Sequence, residues 1–83
     1  MQLKLFPNPV NQQLNIRYYL PEQAPVHVRL LNANGRMMHQ FLAINDVGWH
    51  ENSLTIHHLP IGIYFLSIQT TQQQLYRKVI VQR

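Results

Sequence analysis

The chain has 83 residues, no cysteine, and seven Lys/Arg against three Asp/Glu for a formal charge of +4. That allows one small domain, which buries about 60–65% of its extended-chain surface, and excludes a disulfide scaffold or thiolate metal site. The cations are scattered singly apart from Arg77-Lys78, so the positive balance reflects scarce carboxylates rather than a nucleic-acid-binding patch.

Leu3-Lys4-Leu5-Phe6 is a short extended segment, stopped by Pro7-Asn8-Pro9, where two prolines forbid helix. Gln13 to Tyr19 alternates, with Leu14, Ile16 and Tyr18 on one face and Gln13, Asn15 and Arg17 on the other, as in a half-buried strand. After a proline-bracketed turn at Leu20 to Pro25, Val26, Val28 and Leu30 mark a third strand. Asn34-Gly35, inside Asn32-Ala33-Asn34-Gly35, is a strong hairpin signal. Arg36 to Ala43 returns as a fourth strand in which Met37, Met38, Phe41 and Leu42 compete for the inside.

Asn45 to Gly48 turns into a fifth strand, Trp49 to His57, with Leu54 and Ile56 inward. Leu59-Pro60-Ile61-Gly62-Ile63-Tyr64-Phe65-Leu66-Ser67-Ile68 is the densest apolar stretch. It reads as the central strand, paired along both edges and covered on both faces or nearly so, with Tyr64, Leu66 and Ile68 inward. Gly62 marks a bend or a close backbone approach at its entrance. Leu75 to Val81 is the last strand, with Val79 and Val81 inward.

No 3.6-residue apolar period persists, so no helix is expected. Short strands separated by Gly/Pro/Asn turns predict an all-β fold, a small immunoglobulin-like antiparallel β-sandwich of about seven strands. A small closed barrel is the alternative. No apolar run reaches the ~18–20 residues of a membrane span, and nothing has the layout of a signal peptide, so membrane insertion is not expected. Met1 stands just before strand-like sequence, which points to a single domain, residues 1–83, cut from a longer protein.

The turn blocks are themselves recognisable. Phe6-Pro7-Asn8-Pro9, Asn32-Ala33-Asn34-Gly35-Arg36, Leu59-Pro60-Ile61-Gly62-Ile63-Tyr64 and the basic-then-apolar ending Arg77-Lys78-Val79-Ile80-Val81-Gln82-Arg83 stand in that order. Together they resemble the type A C-terminal sorting domains (Por secretion tail family) of the type IX secretion system of Bacteroidota. The resemblance covers Leu3 to Arg83; Asn32 stands where an aspartate is frequent, and the fourth and fifth strands are richer in histidine than the pattern suggests. It implies a β-sandwich ending an N-terminal cargo protein, carried to the periplasm by the general secretory route and read by the outer-membrane translocon and its shuttle components. The domain is then removed by a sortase-like signal peptidase, and the cargo reaches the cell surface or the medium. On that resemblance Gly62, Tyr64, Arg77, Lys78, Val79, Ile80 and Val81 are the residues tied to translocon recognition. Phe6, Pro7, Asn8, Pro9, Asn34, Gly35, Arg36 and Pro60 are structural motif positions. The cleavage point would lie near or upstream of Met1.

Each of these residues also has a structural reading. Gly62 and Tyr64 suit a bend and a core aromatic with its hydroxyl satisfied at the rim, and Arg77 and Lys78 suit charge protection of an edge strand. As the C-terminal strand, Leu75–Val81 is expected to offer a free edge to which a receptor adds a strand. Other chemistry finds little support. The five histidines show no ligand spacing, and His57 and His58, taken as strand neighbours, point to opposite faces. Glu22, Asp46 and Glu51 all lie in or beside turns, and no nucleophile elbow surrounds Ser53 or Ser67, so neither an enzyme nor a cofactor is expected. The second functional reading is a carbohydrate-binding or adhesive module using Tyr18, Tyr19, Trp49 and Tyr76 as an aromatic platform.

Overall fold

The computed structural model describes residues 2–83; Met1, beside which the cleavage point is expected, lies outside the described residues. Among the described residues seven strands form: β1 (Gln2–Phe6), β2 (Gln13–Leu20), β3 (Ala24–Asn32), β4 (Met37–Asn45), β5 (Gly48–Thr55), β6 (Gly62–Gln69) and β7 (Gln74–Val81). They make two separate antiparallel sheets in the orders β1-β2-β5 and β4-β3-β6-β7. The chain therefore changes sheet after β2, β4 and β5, the crossing pattern of an immunoglobulin-like sandwich. A closed barrel would need one continuous sheet, so that alternative is discarded.

The period-2 pattern assigns the two faces correctly. Leu14, Ile16, Tyr18, Val26, Val28, Leu30, Leu54, Ile56, Tyr64, Leu66, Ile68, Val79 and Val81 all lie in one buried cluster between the sheets. One-residue slips would turn each set to water, so burial and register enforce one another. The hairpin also forms as expected. Asn32 Oδ1 accepts the Asn34 and Arg36 amides at 2.9 Å, and Gly35 sits at a left-handed φ of +84° that a side chain disfavours.

Four expectations change. In β4 the competition is settled by register: Phe41 opposite Val28 packs on the core and Leu42 opposite His27 faces water, while a bulge opposite Leu30/Leu31 lets Met38 pack on the core and turns Met37 to water. β6 is paired along both edges but covered on one face only, because Ile63 and Phe65 are exposed on its outer side. Ser67 on that side is buried, with β3 and β7 on its two flanks. Gly62 does not pack closely: an added Cβ would meet nothing within 4 Å, and its φ is not positive, so no left-handed turn requires glycine there. β5 ends at Thr55, so His57 and His58 lie in a turn, and their rings stack edge-on, 5.7 Å apart, instead of taking opposite faces.

Candidate functional site

Register brings the four turn blocks to one end of the four-stranded sheet. Asn32 pairs with Tyr64, Tyr64 with Val79, and Gly62 with Val81, so the β3–β4 hairpin, the start of β6 and the end of β7 are neighbours. The N-terminal block completes this end. Asn8 lies against β7, where its Oδ1 accepts the Ile80 amide and its Nδ2 donates to the Lys78 carbonyl, each at 3.0 Å. Val10 continues the pairing: its amide donates to the Ile80 carbonyl at 2.8 Å, and its carbonyl accepts the Gln82 amide at 2.9 Å. Proline has no amide to offer a ladder, so between Pro7 and Pro9 the Asn8 side chain supplies both a donor and an acceptor. Both X–Pro peptide bonds here, Phe6-Pro7 and Asn8-Pro9, are cis.

The expected free C-terminal edge is thus closed over Lys78 to Gln82. Only the first half of β7 remains open, and there Arg77 Nη1 donates to the Tyr76 carbonyl at 3.0 Å. The last residue adds a second tie. Arg83 donates to the carbonyls of His57 (2.6 Å), Leu59 (2.7 Å) and Ile56 (3.0 Å), fastening the chain end to the β5–β6 turn. A guanidinium, with five donors in a fixed fork, suits several converging carbonyls. Neither Arg83 nor Val10 carried a sequence signal for these roles.

The residues tied to recognition separate by exposure. Tyr64, Val79 and Val81 are core side chains, and Tyr64 donates its hydroxyl to the Pro60 carbonyl at 2.6 Å. A tyrosine near the start of this strand, bonded to backbone a few residues upstream, is the corner of immunoglobulin-like sandwiches. The Leu-Pro-x-Gly-x-Tyr block has a folding role in that bond. Arg77 and Lys78 are exposed. Arg77 shares the inward parity of Val79 and Val81 but stands at the sheet edge, whereas Lys78 is on the outer face beside Phe65. Ile80 is half-buried on the outer face, and Gly62 is partly covered where β6 begins.

The family model for secretion system C-terminal sorting domains matches residues 4–82. The chain belongs to that family. This sorting domain is therefore of the type IX secretion class, a family of C-terminal signals that implies a secreted cargo reaching the cell surface or beyond. A search of the curated proteins finds no match to it.

The remaining constellations of the sorting domain are small. Tyr18 is buried, and its hydroxyl accepts from Asn45 Nδ2 of β4 at 2.6 Å and Asn52 Nδ2 of β5 at 3.3 Å, tying the two sheets. Burial pushes the Tyr18 phenol above its ordinary pKa, and the Asn52 hydrogen bond opposes this in part. The supposed aromatic platform does not assemble. Tyr18 is in the core and Tyr76 is on the far sheet, which leaves Trp49 edge-on to Tyr19 at 5.4 Å with the Arg17 guanidinium 5.1 Å over its ring. Among the described residues, no three His, Asp or Glu side chains gather at metal-binding distance.

Proposed function

We propose that this domain is the C-terminal address of a cargo protein, read in its folded state in the periplasm by the type IX outer-membrane translocon and its shuttle components. A sortase-like peptidase then cuts it from the cargo. The observation that carries this reading is the family match over residues 4–82. The physics is compatible with it: a cysteine-free module with its own core folds without mispairing in an oxidising compartment, whatever cargo precedes it. Tyr64, Val79 and Val81 serve recognition through the fold they hold, and contact falls to exposed groups such as Lys78.

The test is a fluorescent reporter with a periplasmic signal peptide at its N-terminus and this chain at its C-terminus, in a host with type IX machinery. Export that depends on the translocon, with the reporter released near the junction, is the expected result. Periplasmic retention of a folded fusion would overturn the reading and return attention to glycan binding. Gly62→Ala is an informative variant because the fold leaves room for the methyl group. Stability should hold or rise by about 0.4–1 kcal/mol, so lost export in a folded G62A fusion would assign Gly62 to recognition.

A further inference from the structure

We propose that the outer face of the four-stranded sheet, bordered by the β4 edge, is the docking surface of this domain. Its occupant is a protein of the secretion machinery that presents apolar side chains ringed by carboxylates. This rests on the sorting reading above and names the surface that the reading leaves open.

Of nine large apolar side chains exposed among the described residues, six stand on this face: Met37, Leu42, Ile44, Ile63, Phe65 and Tyr76. Cross-strand register makes one row of Met37, Leu31, Phe65 and Lys78, spanning all four strands. Five of the six form two groups, Met37, Phe65 and Ile63 around Leu31, and Leu42 with Ile44, on either side of the polar row Gln40, Arg29 and Ser67; so much exposed apolar surface on one face of a small domain marks an interaction site. The outer face of the other sheet differs, with polar pairs such as Ser53 Oγ donating to Asn15 Oδ1 at 2.8 Å and Arg17 covering Trp49.

Charge decides the occupant. β3, β4, β6 and β7 contain no Asp or Glu: Glu22 and Asp46 lie between strands, and Glu51 is on β5. The face carries Lys78 at one side and Arg29 near its middle. Arg29 stands between Gln40 and Ser67, and its Nε is buried with no hydrogen-bond partner. Gln40 Oε1 is 3.0 Å from His27 Nε2, and Ser67 Oγ already accepts from Gln74. A half-buried guanidinium with no carboxylate on any strand of its own sheet is complemented by carboxylates from outside. A second copy of this chain would set Arg29 and Lys78 against their own likeness with no carboxylate to relieve them. An anionic membrane would require a cluster of some four to eight cations, which this face lacks. β4 extends the surface, because Met37–Asn45 contains no Lys, Arg, Pro, Asp or Glu to guard its edge.

The experiment uses the reporter fusion in four forms: unaltered, Leu42→Glu, Ile63→Glu and the double control Gln13→Glu/Thr55→Glu on the opposite sheet. Each isolated domain is checked by thermal unfolding; Leu42 is 70% exposed, so L42E reports even where I63E unfolds. The expected result is export lowered about tenfold or more by a folded L42E or I63E and unchanged by the control, as for loss of an interface anchor. Normal export of folded face variants overturns this inference alone, whereas an unaltered fusion that stays in the periplasm overturns the sorting reading beneath it. Sedimentation of the unaltered chain as a dimer that I63E dissolves, or its flotation with phosphatidylglycerol vesicles, overturns the choice of occupant.

Discussion

The two edges of the four-stranded sheet are built in opposite ways. At β7 the chain closes its own edge: Asn8 and Val10 occupy the backbone of Lys78, Ile80 and Gln82, and Arg83 ties the end down. At β4 nothing comparable is found among the described residues; Tyr18 holds Asn45 at one end, and Leu42 and Ile44 stand in water. The signature blocks cluster at the closed end, where their groups are spent on main-chain bonds. The β4 edge carries none of the signature apart from the hairpin beside it, and of the blocks only Ile63, Lys78 and Ile80 reach the apolar outer face that runs between the two edges. A motif that identifies the family is therefore only a partial guide to which surface is free to bind.

That contrast can be tested by substitution. Leu66→Ala, in the β6 strand that both edges depend on, sets the scale: deleting a fully buried leucine should cost about 2–5 kcal/mol in denaturant unfolding. At the closed edge, Arg83→Ala and Asn8→Ala should each cost about 1–3 kcal/mol, since each removes bonds to backbone that then needs water. Hydrogen exchange should quicken at the Ile80 amide in N8A and stay unchanged in β4; equal loosening of both edges would show that the clasp is not local. This also changes the meaning of C-terminal truncation, because removing Gln82–Arg83 takes away a fastening as well as sequence, and lost export must be read beside a stability measurement.

The tie at the β4 end is expected to show in alkali. A phenol whose folded pKa is raised keeps its proton longer in the folded chain than in the unfolded one, so the native state gains nothing at neutral pH. As pH rises past the ordinary phenol value of about 10, the unfolded state ionises first and stability falls. Tyr18→Phe should lessen that alkaline loss, and an unaltered pH profile would break the assignment. The smallest effect belongs to the open edge: Ile44→Ser, at a side chain 74% exposed, should change unfolding free energy by no more than about 0.5 kcal/mol.

The sequence by itself determined the number of strands, the inward faces of those that alternate regularly, and the family. Alternation in Gln13–Tyr19 and Val26–Leu30 is a local consequence of a two-residue repeat meeting one wet and one dry side. Asn34-Gly35 likewise specifies its turn through local dihedral preference. Only the tertiary structure decided the rest. That Asn8 meets Lys78 and Ile80, some seventy residues away, follows from the sheet order, which no local pattern encodes. The same order set Arg83 on the β5–β6 turn, separated the aromatic residues and left the outward-facing Ile63 and Phe65 uncovered, because exposure depends on which neighbours the other strands supply. The absence of carboxylates from four strands was legible in the sequence, but its meaning appeared only when those strands became one face.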